Sequence, residues 1–297
     1  MNKIRLAICI TVHFSAERLV YLEAMVEHFT QLCEDVEVFI VTNANPNNGE
    51  QKLLDDVLKE KGFKYHFFTP IGIGHPFLLT WSHFDVFKKL INDGSISHFM
   101  YLEDDLLVTK DNFDYWQDSL QTLQPLGLIP SFFRIEKKKS DSKWYSSDVK
   151  ERFLFRKLPK VYKNQDYAFI NLPHPYQGMY LLTRELMIEH LNSPSSNPDF
   201  GIWGIRERAG HGLTFQNIPN WCTSRNFLGF NVKTGRPDPR SFIHHLPNNY
   251  VNRDKPDGNL GTIQVDEVII MPHQETPIKN LLGRIIKKLK YKNTDAH

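Results

Sequence analysis

The stretch His98–Phe99–Met100–Tyr101–Leu102–Glu103–Asp104–Asp105–Leu106–Leu107 sets an apolar, aromatic run directly against three consecutive carboxylates. Bulky apolar and aromatic residues favour buried strands, whereas adjacent carboxylates repel unless a cation or hydrogen-bond donors sit among them. Hard divalent cations take oxygen ligands and bridge to phosphates rather than filling a cage made wholly of protein. In a sheet that alternates with helices, ligands bind beyond the carboxyl ends of the strands. The triplet therefore predicts a metal–phosphate site at a strand end. A solvated acidic turn at a helix start is the competing reading.

Outward from this strand, the first half of the chain alternates strand and helix signals. Ile4–Val12 reads as a strand, and Ser15 as the cap of a helix to about Cys33, with Leu19, Leu22, Val26, Phe29 and Cys33 on one stripe. Val36–Thr42 is a second buried strand closed by the turn-rich segment 43–49, then come a helix near Glu50–Lys61 and a short strand at Tyr65–Phe68. A helix is expected from about Pro76 to Asn92 and another over Asn112–Leu123. Gly72-x-Gly74 before the first of these is too short for a phosphate cradle and reads as a helix start. This order predicts an α/β fold with a mainly parallel central sheet flanked by helices. Beyond Glu136 the pattern weakens. Lys137–Lys163 reads as a long, mobile excursion, followed by a strand at Tyr176–Thr183, a helix at Arg184–Leu191 and a loop that enters a helix near Arg208.

Composition narrows the function. A formal net charge of +2 over 297 residues argues against a nucleic-acid partner, whose footprint is a clustered basic excess. Aromatics at 12% leave some rings for stacking on flat ligands. Cys9, Cys33 and Cys222 are too few and too scattered for a disulfide framework or a zinc cluster. The first ten residues are too short and interrupted for a signal peptide, and no run of about 18 apolar residues occurs, so a cytosolic protein is expected. Residues 277–297 carry six Lys or Arg against one Asp, which leaves the rest mildly acidic. Ile278, Leu281, Leu282, Ile285, Ile286 and Leu289 share one helical face there, with the charge mostly elsewhere. Such a segment predicts a peripheral helix on an anionic membrane through 278–292, or a helix docked on the main body.

The order of motifs resembles nucleotide-sugar glycosyltransferases of the GT-A fold, and among them the inverting N-acetylglucosaminyltransferases that carry Glu-Asp-Asp-Leu. Glu103–Asp104–Asp105–Leu106 and Phe113–Asp114–Tyr115–Trp116 match that family's acidic motif and the helix after it. Thr11–Val12–His13 with Arg18 stand where the family has its first nucleotide-contacting loop, and Gln177–Gly178–Met179–Tyr180–Leu181–Leu182 where it has an acceptor strand. The likeness covers roughly residues 4 to 250, and only the acidic motif is sharp. It implies a GT-A (Rossmann-like) domain over 1–276, with 1–136 binding the nucleotide sugar and a more irregular 137–276 binding the acceptor.

The resemblance also implies roles. Asp105 would ligate Mn2+ or Mg2+, Asp104 would hold metal-bound water or sugar hydroxyls, and Glu103 would face the ribose or base. Thr11, Val12, His13, Arg18 and Asn43 would be nucleotide-sugar contacts. His244 or His245 would be a further metal ligand; neighbouring side chains on a strand diverge, so only one of them can be. An inverting enzyme needs a carboxylate to take the acceptor's proton. The family's Trp-Asp-Asp-Trp is replaced here by Gly201–Ile202–Trp203–Gly204, which leaves Glu207 and Asp199 as candidates and a retaining mechanism open. The expectation is a metal-dependent glycosyltransferase that moves a sugar from a uridine-based nucleoside diphosphate to a glycan or lipid-linked hydroxyl. A non-catalytic carbohydrate- or nucleotide-binding module and a metal-dependent phosphate-transfer enzyme are the rivals.

Overall fold

The computed structural model describes residues 3–173, 175–254 and 258–274. The basic segment expected to form a peripheral helix lies outside the described residues. Four parallel strands form the centre: β1 (Arg5–Val12), β2 (Asp35–Thr42), β3 (Lys64–Phe68) and β4 (His98–Glu103). Their order is β4-β1-β2-β3, and Met179–Thr183 joins the outer side of β4 antiparallel. Leu6 to Ile10 of β1 and Phe99 to Leu102 of β4 are wholly buried, as unbroken apolar strands covered on both faces should be. Fully burying each large apolar side chain contributes about 1.5–3 kcal/mol. The α/β expectation with a mainly parallel, helix-flanked sheet holds.

The second half builds smaller sheets. One pairs Leu106–Leu107, Phe242–His245, Phe133–Lys137 and Trp144–Ser146 in that order. Another carries Lys160–Asn164, Tyr167–Ile170, Asn226–Asn231 and Arg236–Pro237, with Ile129–Ser131 also on Asn226–Asn231. Phe153–Leu154 pairs with Ile269–Ile270. Lys137–Lys163, expected as a mobile excursion, is therefore threaded through three sheets. Trp144–Ser146 and Lys160–Asn164 pair with strands nearby in sequence, whereas the partner of Phe153–Leu154 lies more than a hundred positions away, where no local pattern marks it.

Two helices differ from expectation. The segment from Ser15 breaks into Ala16–Arg18, Leu19–Val26 and Phe29–Leu32. Its stripe still faces inward at Leu22, Val26 and Phe29, and Phe29 packs on Phe63 at 5.9 Å between ring centres. The helix from Pro76 starts as a tight 3-10 coil to Ser82 and becomes α only at His83–Leu90. Thr80 Oγ1 and Ser82 Oγ donate back to the carbonyls of Phe77 and Leu78, which competes with regular helix bonding. The helix after the acidic strand begins at Lys110, where Thr109 and Asn112 form a capping box. Cys9, Cys33 and Cys222 are free thiols. Among the described residues no helix is long and apolar enough to cross a membrane.

Candidate functional site

Strand β4 ends at Glu103, the chain turns at Asp104–Asp105, and Leu106–Leu107 leaves in a different sheet. The turn frees the three carboxylates from strict strand alternation and lets all of them reach one cavity of about 410 Å3. Thr11 lies beside Glu103 in the parallel register, so β1 and β4 open into the same space. Thr11 and His13 line it, whereas Val12 between them is buried in the core, and is therefore not a contact. Asn43 lies outside the lining: its Oδ1 accepts the backbone N–H of Phe14 at 2.8 Å and steadies the first loop.

Arg18 ties the acidic turn together. Its Nη2 donates to Asp104 Oδ1 and, at 2.8 Å, to Asp105 Oδ2, while Nε donates to Asp104 Oδ2 at 3.1 Å. Among the described residues Asp105 Oδ1 is left buried without a partner. Burial, opposed by the Arg18 hydrogen bond and reinforced by the Asp105 charge, pushes the Asp104 carboxyl up. At Asp105 burial also acts upward, but His245 and Arg18 outweigh it and hold the group down at about 2.

The small sheet decides between the two histidines. His245 stands opposite Leu106 and His244 opposite Leu107, and the Leu246 N–H donates to the Asp105 carbonyl at 2.9 Å. His245 points inward, with Nε2 at 3.4 Å from Asp105 Oδ2 and Nδ1 at 2.5 Å from Glu136 Oε1. His244 points away, to Asn248 Oδ1 at 2.9 Å and edge-on to Trp144, so the structure removes it from the metal candidates. Asn112 Nδ2 holds the histidine strand by donating to the carbonyls of Arg240 and Phe242 at 2.7 and 2.8 Å.

Glu136 has no exposure at all. Its second oxygen accepts the N–H groups of Tyr250 and Val251 at 2.9 and 2.8 Å, so the carboxylate is fixed from both sides. Burial lowers the His245 pKa, yet the bonds to Asp105 and Glu136 win and raise it to about 9.

Glu103 forms the other flank. Tyr176 Oη donates to its Oε1 at 2.6 Å, and Arg134 Nη1 lies 3.6 Å from Oε2. Burial, opposed chiefly by Arg134, raises this carboxyl to about 7. Gly178 makes the arrangement possible: at φ +68° a Cβ there would stand 2.7 Å from Glu103 Oε2. At the mouth, Arg206 lies over the Phe77 ring at 4.7 Å and Glu207 beside it also lines the cavity. Burial and then the charges of Arg206 and Arg18 lower the His13 pKa, a sign of the cationic field there. Asp199 sits on an exposed turn outside the lining, its N–H on Asn197 Oδ1 at 2.9 Å, and makes no contact with the cavity.

Among the described residues no group of three or more His, Cys, Asp or Glu side chains is placed to hold a metal alone. The orphaned Asp105 Oδ1 and the imidazole fixed by Glu136 do fit a divalent cation that completes its shell with water and substrate phosphates. The structure thus gathers Thr11, His13, Arg18, Glu103, Asp104, Asp105, Glu207 and His245, and adds Glu136, Arg134, Tyr176 and Arg206, which sequence reasoning missed. A lone Glu or Arg in a strand carries no local signal of what it will meet across the fold.

No family model matches this chain, and no curated protein matches it. Among solved structures it is similar to the mannosyltransferase PcManGT from Pyrobaculum calidifontis in complex with GDP-Man and Mn2+. That likeness has 10% identity and a TM-score of 0.45, and covers 82% of this chain and 57% of the other. The chain therefore spans less than two thirds of that protein's length.

Proposed function

We propose that this chain is a metal-dependent glycosyltransferase that moves a sugar from a nucleoside diphosphate to a hydroxyl of a glycan or lipid-linked acceptor. The observation that carries the reading is the line Glu136–His245–Asp105, with one unpartnered carboxylate oxygen, inside a cavity that also presents Arg18 and Arg206. Carboxylate-backed histidine is how metal-binding imidazoles are oriented. Asp105 and His245 would hold Mn2+ or Mg2+, which when bound supplies Lewis-acid stabilisation of a leaving diphosphate.

The remaining steps belong to the chain. Arg18 and Arg206 offer planar donors to phosphate oxygens. The acceptor oxygen forms a bond to the anomeric carbon while the bond from that carbon to the diphosphate oxygen breaks. The electron pair leaves with the diphosphate, and Glu207 takes the acceptor's proton, as an inverting reaction requires. Thr11 and His13 border the nucleotide side, and uridine diphosphate is the expected donor half.

Thermal-shift measurements with uridine and guanosine diphosphates, each with manganese or with chelator, test this reading. A nucleotide at a hundredfold excess over its dissociation constant should stabilise the fold by about 2.7 kcal/mol, and only with metal. Equal stabilisation in chelator, or none with either nucleotide, refutes it.

A further inference from the structure

Beside the carboxylate cavity lies a second one of about 280 Å3, and the two share Arg134 and Tyr176 as a common wall. Aromatic faces of Trp203, Tyr176 and Phe153 line it together with the polar groups of Asp148 and Ser146. A pyranose presents an apolar C–H face and a rim of hydroxyls, and aromatic rings beside fixed acceptors match both.

Trp203 is held at this cavity against a backbone cost. It is 40% exposed and sits in the left-handed region at φ 69°. Arg208 clamps the turn by donating to the carbonyls of Trp203 and Pro198, each at 3.0 Å. Gly201, at φ +99°, lets the loop approach His211, where a Cβ would come within 2.9 Å of Nδ1. The indole then meets Tyr176 and His211 edge-on, at 5.2 Å each. Strain of this kind persists where surrounding contacts over-determine it, and it clusters at ligand sites.

The wall is rigid. Arg134 donates from Nε and Nη2 to the two oxygens of Asp148 at 2.8 and 2.6 Å and lies over the Tyr176 ring at 4.8 Å. The Asp148 side chain keeps 20% of its surface open, so it is oriented and still able to accept hydroxyls. The loop that brings Trp203 to this cavity brings Arg206 and Glu207 to the other.

We propose that the second cavity is the acceptor subsite, binding one pyranose ring with its C–H face on Trp203 and its hydroxyls on Asp148 and Ser146. The word acceptor rests on the transferase reading; occupancy by a sugar is testable without any donor. Saturation-transfer NMR on the full chain, with the methyl glycosides of glucose, galactose, mannose and N-acetylglucosamine as probes, makes the test. At least one glycoside should receive saturation, strongest along one ring face. Trp203→Ala should weaken that glycoside about tenfold, a loss of about 1.4 kcal/mol. Trp203→Phe, which keeps an aromatic face, should restore most of it. Trp221→Ala, at an exposed tryptophan outside both cavities, should change nothing. No saturation of any glycoside, or binding that survives Trp203→Ala, overturns the inference. Failure of the transferase reading looks different: glycosides bind through Trp203 while no nucleoside diphosphate binds with manganese.

Discussion

Replacing Glu136 by Gln changes one atom in a carboxylate buried from solvent, yet it should disconnect the cation site. One Glu136 oxygen accepts from His245 Nδ1 and the other accepts two backbone N–H groups, from Tyr250 and Val251. A glutamine keeps one acceptor. Placing it on the two backbone donors turns the amide NH2 toward His245 Nδ1, which must then accept. The neutral ring must then keep its proton on Nε2, where it faces Asp105 and blocks the lone pair a cation needs, whereas Glu136 lets it keep the proton on Nδ1. Loss of such an orienting partner costs about 10–100-fold in metal affinity, or roughly 1.4–2.7 kcal/mol.

Glu136→Ala is the contrast, because it strands three buried donors at about 1–3 kcal/mol each and should destabilise the fold by several kcal/mol. Glu136→Gln should cost only about 1 kcal/mol of stability. Calorimetric titration of uridine and guanosine diphosphates in manganese, beside a urea melt of each variant, separates the two effects. Diphosphate affinity within about twofold of the parent in Glu136→Gln, with the fold intact, would refute the orienting role.

Other expectations follow from the same geometry. His245→Ala should abolish manganese-dependent nucleotide binding and His244→Ala should leave it nearly unchanged, since only His245 faces Asp105; equal losses by calorimetry contradict this. Gly178→Ala should destabilise by about 1–3 kcal/mol in chemical melts, because the new methyl meets Glu103 in a backbone conformation that alanine avoids; an unchanged midpoint contradicts it. His83, His190 and His211 are each held near 3 by burial, so they stay neutral in the folded chain. Their folded pKa values lie below the unfolded value of about 6.5, so the stability they carry is present above that pH and is lost as pH falls. By pH 5 each costs about 2 kcal/mol. NMR titration of the ring protons should show no change in these three down to pH 5, and a ring titrating near 6.5 contradicts the burial argument.

The Asp105 carboxylate shows how far local reasoning goes. Three adjacent acids suggest that removing one relieves repulsion. In the fold Arg18 and His245 both face Asp105, so removing it also takes a partner from each, leaving Arg18 on Asp104 and His245 on Glu136.

What the sequence determined by itself was whatever is written in short-range pattern. Unbroken apolar runs marked β1 and β4, because strands covered on both faces need apolar residues at every position. Three carboxylates at the end of β4 marked the site, because such a cluster is tolerated only beside cations or donors. The divergence of neighbouring strand side chains also required that only one of His244 and His245 face the cavity. Which one does was decided by pairing with Leu106–Leu107, a register set by contacts across more than a hundred residues. The same holds for Glu136, Arg134 and Tyr176, and for Phe153–Leu154, which pairs with Ile269–Ile270. Their roles arise from partners distant in sequence, and a side chain carries no local mark of a neighbour that only tertiary packing supplies.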